Sequence, residues 1–293
     1  MHKAGFVNIV GLPNVGKSTL MNAMLGGKLS IVSPKAQTTR HRIRGIWNEE
    51  NFQVVFCDTP GYIARPAYKL QQRMNDYVEE AFTDADVVLL VTDKYQSLDA
   101  QAPLIERLQN TQTPVVVAIN KTDLCTPVEA QELYNKWHEK LPHAHVFLIS
   151  AQYLYGVTEL KNKLTELLPE SPPYFDKEHL SDRAVRFFVA EILREKIFEL
   201  YEKEIPYSCE VTVDEYREQD ALDYIRCVIY TERESQKIIL IGKDGRAIKK
   251  LGIEARKQIE EFLGKKVHLE LYVKVQEKWR NDERALHRFG YEI

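Results

Sequence analysis

The octapeptide Gly11-Leu12-Pro13-Asn14-Val15-Gly16-Lys17-Ser18 restricts this chain more than any other feature, because it stands between an apolar run and an amphipathic stretch. The spacing GxxxxGK[ST] in a strand-to-helix context is a phosphate-binding loop rather than an ordinary glycine turn. Its glycines let the backbone close around an anion. The N–H groups of Asn14, Val15, Gly16, Lys17, Ser18 and Thr19 and the positive end of the following helix then point at phosphate, Lys17 reaches the terminal phosphates, and the Ser18 hydroxyl can ligate Mg2+.

The chain around this loop alternates between two periodicities. Apolar runs at 6–10, 43–47, 53–57, 87–91, 115–119 and 146–149 read as strands, and helical patterns fall near 17–25, 67–82, 101–109, 128–140 and 157–167. Such alternation predicts an α/β domain, a mainly parallel six-stranded sheet with helices on both faces. The pattern stops at Pro169-Glu170-Ser171-Pro172-Pro173-Tyr174, where three prolines deny the backbone helical geometry and ladder hydrogen bonds. Residues 1–168 are therefore expected to form the nucleotide-binding domain, 169–182 a linker, and 183–293 a second domain. The second domain reads as a small α+β unit: a long helix at about 184–204, strands at 207–214 and 224–231, a short helical or extended run to Ile241, a helix at about 246–263, and a strand at 266–275.

A length of 293 residues with 44% hydrophobic and 28% charged residues suits two globular domains. No apolar run has the length of a membrane span, and the start has no signal-peptide layout, so a cytoplasmic location is expected. The four cysteines form no CxxC pair and the histidines no HExxH, which argues against zinc and against a disulfide framework. The net charge of −3 is unevenly spread: residues 237–293 carry 14 Lys and Arg against 9 Asp and Glu, or +5, leaving −8 for the remainder. Any polyanion is met by the C-terminal part.

Three further stations complete the nucleotide site. Asp58-Thr59-Pro60-Gly61 ends an apolar strand, placing Asp58 where it can hold Mg2+ through water and the Gly61 N–H where it can contact a γ-phosphate. Asn120-Lys121-Thr122-Asp123 selects the base. Guanine presents N1–H and N2–H2 as adjacent donors that the Asp123 carboxylate accepts together, whereas adenine would leave it unpaired. Lys121 would lay its stem along the ring, and Ser150-Ala151-Gln152 would bring the Ala151 N–H toward guanine O6. The polar stretch from Ser33 to Arg40 reads as a mobile loop, with Thr39, rather than Thr38, supplying a second hydroxyl to Mg2+ in the GTP state. Lys17, Thr39 and Gly61 are the groups expected to act at the reacting phosphate.

These four stations resemble those of the translation-factor-related GTPases and, among them, the Era family, over residues 5–168. The resemblance implies slow GTP hydrolysis coupled to a conformational switch, with GTP/GDP and Mg2+ as ligands. Tyr62 follows the DxxG glycine where Ras-like proteins carry a water-orienting glutamine, which points to slow intrinsic turnover. Asn14 is similar to the asparagine by which some relatives hold K+ against the phosphates, so the resemblance adds K+ as a candidate ligand.

In the second domain, Gly242-Lys243-Asp244-Gly245 lies between the apolar run ending at Ile241 and a basic helix. A GxxG alone is weak. With the density of Lys243, Arg246, Lys249 and Lys250, the flanking Ile241 and Ile248, and the element order, it resembles a type II KH domain, whose loop clamps single-stranded RNA. The stretches LGIEARKQIEEF, VHLELYVKV and WRNDERALHRFGY extend the similarity to the Era family across the chain. That resemblance implies binding to the 3′ end of 16S ribosomal RNA rather than DNA, assistance to 30S subunit assembly, a monomeric state, and the family's peripheral association with the inner face of the membrane. Two other readings stand beside it: an RNA-binding module whose guanine-nucleotide site is structural and does not hydrolyse, and a tRNA-modifying GTPase. The latter relatives carry a C-terminal cysteine, and no cysteine follows Cys227.

Overall fold

The computed structural model describes residues 2–291, which divide into two compact units. The first runs to Asp182 apart from Tyr68–Leu70, and the second comprises residues from Arg183 onward together with that short segment.

The first unit is built on strands β1 (Lys3–Val10), β2 (Ile43–Asn48), β3 (Phe52–Asp58), β4 (Val87–Asp93), β5 (Val115–Asn120) and β6 (His145–Leu148) in the order β2-β3-β1-β4-β5-β6. All neighbours are parallel except β2 and β3, which pair antiparallel as consecutive strands. Every residue of β4 and β5 is buried. Both faces of the central sheet are therefore covered, as continuous runs such as Val-Val-Leu-Leu-Val require. The flanking helices are α1 (Lys17–Leu25), α2 (Lys69–Thr83), α3 (Ala102–Asn110), α4 (Pro127–Lys140) and α5 (Val157–Leu167). The start of α4 is set locally: the Thr126 hydroxyl accepts the Glu129 N–H, the Glu129 carboxylate accepts the Thr126 N–H, and Pro127 occupies a position that needs no donor.

The proline-rich segment after α5 forms no helix and only a single isolated bridge, Glu170 to Lys3, yet it is bound along its length to the first unit. The side chain of Gln53, fully buried in β3, accepts the N–H groups of Tyr174 and Phe175 at 2.7 and 3.0 Å and donates to the Phe175 carbonyl at 2.7 Å. Farther on, the Ile46 N–H donates to the Leu180 carbonyl at 2.9 Å and Arg44 pairs with Asp182 at 2.9 Å. The segment is a strap fastened to β2 and β3. Proline denies it a ladder, and one amide side chain supplies the missing partners.

The second unit follows the order α6 (Val185–Leu200), α7 (Ile205–Ser208), β7 (Glu210–Arg217), β8 (Asp223–Thr231), α8 (Glu234–Ile241), α9 (Arg246–Leu263), β9 (Val267–Val275) and α10 (Glu283–Arg288). The sheet order is β7-β8-β9, with β7 and β8 antiparallel and β8 and β9 parallel. The stretch ending at Ile241 is helical. Its core joins Val189, Leu193 and Ile197 of α6 to Leu251, Ala255 and Ile259 of α9 and to Ile225, Cys227 and Ile229 of β8. The tail folds back, with Trp279 fully buried and its indole N–H donated to the Ser208 carbonyl at 2.9 Å.

Replacing Gln53 by Leu removes the hydrogen bonds to three part-buried backbone groups of the strap, a loss of about 1 kcal/mol. The expected outcome is faster tryptic cleavage after Lys177 in the native protein, read by mass spectrometry; unchanged cleavage would show that the strap is held elsewhere.

Candidate functional site

The parallel register brings the ends of four strands to one edge. Ile9 pairs with Asp58 and Asp93 with Asn120, so the residues that follow β1, β3, β4 and β5 are neighbours without being close in sequence. A cavity of about 390 Å3 opens there, lined among others by Asn14, Gly16, Lys17, Ser18, Thr19, Thr38, Thr39, Gly61, Lys121 and Gln152.

The phosphate loop takes its shape from backbone conformations that its sequence permits. Gly16 has φ +96°, and a Cβ there would fall 2.3 Å from Asn120 Nδ2. The DTPG loop lies against it, for the Tyr62 N–H donates to the Gly11 carbonyl at 3.1 Å and a Cβ on Gly61 would meet the Pro13 backbone at 2.6 Å. Lys17 is buried and donates to the carbonyls of Gly11 and Leu12 at 3.1 and 2.9 Å.

Ser18, Thr39 and Asp58 converge. Ser18 Oγ donates to Asp58 Oδ2 at 2.5 Å and lies 2.9 Å from Thr39 Oγ1. The Thr38 hydroxyl instead donates to the Lys35 carbonyl at 2.7 Å, so Thr39 is the threonine directed at this cluster. Asp58 is fully buried, and its Oδ1 has no hydrogen-bond partner among the described residues. Two hydroxyls and one carboxylate with an unsatisfied oxygen are a hard-oxygen donor set that fits Mg2+. Burial pushes the Asp58 carboxyl up to about 6 against the opposing pull of the Ser18 hydroxyl and the Lys17 charge. Burial likewise draws the Lys17 ammonium down to about 8, with Asp58 opposing it.

The base side is held by three side chains. Asn120 donates to the Val15 carbonyl at 2.9 Å and accepts the Ala151 N–H at 2.9 Å. The buried Asn120 carboxamide needs a donor for its oxygen, and the Ala151 N–H, the group expected at guanine O6, supplies it here. Lys121 donates to the Asn14 carbonyl and to Asp93, each at 2.6 Å. Ser150 donates to Asp123 Oδ1 at 2.6 Å, aiming an otherwise exposed carboxylate. Ile31 and Val32 also line the cavity. They belong to no motif, and the sequence carries no signal that would have singled them out.

In the second unit, α8 ends at Ile241 and α9 begins at Arg246, with Gly242 at φ +73° and a Cβ there only 2.6 Å from that of Ala247. Lys243, Asp244, Arg246, Lys249 and Lys250 are exposed, while Ile241, Gly242, Gly245 and Ile248 are half-buried. Ile238 and Ile239 on α8 are 64% and 51% exposed and extend the apolar surface beside the loop. Sequence reading passed over them because an apolar run normally marks core.

Comparison with known proteins agrees with this geometry. Residues 6–121 match a family model described as 50S ribosome-binding GTPase, and residues 204–280 match a KH domain model. The chain is thus a P-loop GTPase joined to a KH domain. A GTPase Era of Elusimicrobium minutum is 45% identical over 99% of this chain and 97% of its own length, and a chloroplastic ERA-like GTPase of Oryza sativa is 45% identical over 99% of this chain and 70% of its own. A crystal structure of Era in complex with MgGDPNP and nucleotides 1506–1542 of 16S ribosomal RNA superposes with a TM-score of 0.95 at 36% identity, covering all of both chains. An Aquifex aeolicus Era variant bound to GDP and AlF4− superposes equally well, at 36% identity over 99% of this chain and all of that one. The chain belongs to the Era family of GTPases.

The two shifted groups predict how ligand binding depends on pH. A metal cation favours ionised Asp58, so binding of Mg·GDP should release protons and weaken as pH falls through about 6. Phosphate favours protonated Lys17, so binding should take up protons and weaken as pH rises through about 8. Calorimetry in paired buffers of different ionisation enthalpy would show both signs; a flat profile from pH 5 to 9 would refute the assignment. Thr39→Ala should weaken the Mg2+ dependence of GTP affinity while Ser18 and Asp58 keep part of it, and Thr38→Ala should leave it intact.

Proposed function

We propose that this protein is a GTP-hydrolysing switch that binds the 3′ end of 16S ribosomal RNA through its KH domain and assists assembly of the 30S subunit. The observation that carries the reading is the convergence of Ser18 and Thr39, which line the cavity with Lys17, on the fully buried Asp58 behind them, with Asp123 held by Ser150 on the base side. The whole-length similarity to an Era structure whose description includes MgGDPNP and 16S RNA supports the same ligands here.

In this reading the amides from Asn14 to Thr19 hold the phosphates, Lys17 balances charge on the terminal ones, and Ser18, Thr39 and Asp58 hold Mg2+. When bound, Mg2+ neutralises charge gathering on the phosphate oxygens during transfer. Thr39 and Gly61 lie on different loops, and each would contact the γ-phosphate side only in the GTP state, so hydrolysis removes what orders both. Tyr62 has no amide to orient an attacking water, and turnover is slow. Asn14 lines the cavity, and its side chain would ligate K+, which would add the positive charge that an arginine supplies elsewhere.

On the KH side, exposed Lys243, Arg246, Lys249 and Lys250 would meet phosphates, and the apolar surface of Ile241 and Ile248 would take bases. The reading places a monomer in the cytoplasm, with peripheral membrane contact as a property of the family. Among the described residues no helix is long and apolar enough to cross a membrane.

Phosphate release from GTP and from ATP decides the enzymatic half: GTP alone should be hydrolysed, and hydrolysis of neither would leave a structural nucleotide site. Asp123→Asn presents an amide donor in place of one acceptor, so guanine affinity should fall about 100-fold or more while xanthine, which carries a carbonyl at C2, gains. Turnover should drop when Na+ replaces K+. For the RNA half, Lys243→Glu with Arg246→Glu should weaken binding of a 16S 3′-end oligonucleotide and flatten its dependence on salt. Binding that keeps its affinity and salt slope would place the RNA site elsewhere.

A further inference from the structure

We infer that Asp93 is a positioning residue for nucleotide binding, acting through Lys121; the inference rests on the guanine-nucleotide reading above. Lys121 stands at the cavity wall on a flexible four-carbon stem that has many conformations open to it. To lie along a purine ring, the stem must be fixed at its far end. Two groups fix it. One is the carbonyl of Asn14 in the phosphate loop, and the other is the Asp93 carboxylate, with the ammonium 2.6 Å from each.

Asp93 is suited to this by its place in the sheet. It is the last residue of β4, and its register partner Asn120 is the last residue of β5, immediately before Lys121. The side chain is 1% exposed. Its two oxygens have separate tasks: Oδ1 accepts the Tyr95 N–H at 2.9 Å, which fixes the rotamer, and Oδ2 faces Lys121. A buried carboxylate without its cation is strongly unfavourable, so the pair constrains Lys121 more tightly than an exposed ion pair would. The ammonium thereby joins the loop after β1 and the end of β4 to the loop that opens after β5. The expected effect is slow release of nucleotide, with no part in phosphate transfer, since Asp93 lies outside the Ser18, Thr39 and Asp58 cluster.

The test is stopped-flow release of mant-GDP from the full chain, with folding checked by circular dichroism. Asp93→Asn, nearly isosteric, should release mant-GDP about tenfold faster, the scale of one charge-assisted hydrogen bond. Single-turnover hydrolysis at saturating GTP should be unchanged. In a Lys121→Met background, Asp93→Asn should add no acceleration, and Asp93→Glu, which keeps the charge, should recover part of the slow release. An Asp93→Asn chain that releases at the wild-type rate overturns the inference. So does equal acceleration in the Lys121→Met background, which would mean that Asp93 acts on the fold, or an Asp93→Glu chain no slower than Asp93→Asn. A folded wild-type chain that binds no mant-GDP would sink the functional reading and this inference with it.

Discussion

Lys17 and Asp58 are both withdrawn from water at the edge of the first sheet, and neither is comfortable there. Desolvation drives the lysine toward neutrality and the carboxyl toward protonation, and their mutual attraction offsets only part of this. The surrounding structure limits the damage with hydrogen bonds: two carbonyls take the lysine protons and a serine hydroxyl meets one carboxylate oxygen. What is left over, an unsatisfied oxygen and a poorly solvated cation, is complementary to a divalent metal bound to a polyphosphate. The site is thus destabilised in the sense that its ligand repairs.

The base side follows a different logic. There the loops are tied by side chains whose polar atoms are already matched, Asn120 to Val15 and Ala151, Lys121 to Asn14 and Asp93, Ser150 to Asp123. Such cross-links remove freedom before any ligand arrives and so reduce the entropy lost on binding. The KH loop is different again. Its cations are exposed, and Gly242, at φ +73° and packed against Ala247 with no room for a Cβ, sets the tight turn that presents them. Soft, exposed charge suits a long polyanion that is to be released.

Most of this architecture was legible in the chain because strand ends and motif positions coincide. The runs expected to end at Val10, Cys57, Ile119 and Ile149 lie within one residue of the strand ends Val10, Asp58, Asn120 and Leu148, and a parallel sheet puts such ends together without further information. The helices over 17–25, 157–167 and 246–263 have the bounds that periodicity suggested. Other features resisted because their signals are not periodic. Asp93 ends a strand in no motif, and its partner is 28 residues away. The direction of the Ala151 N–H depends on a buried amide whose needs only the packed structure reveals. Ile238 and Ile239 carry the residue type of a core and the exposure of an interface.

The strap from Pro169 to Asp182 has a bearing on where the first unit stops being able to stand alone. β2 is an outermost strand of its sheet, and the strap takes its Ile46 N–H and covers its flank. A polypeptide truncated after α5 would present that border bare, with Trp47, Phe52 and Phe56 clustered close by, and bare borders of this kind recruit other chains into aggregates. Although the last helix of the sheet domain closes at Leu167, the smallest fragment expected to stay dispersed in solution extends to Asp182.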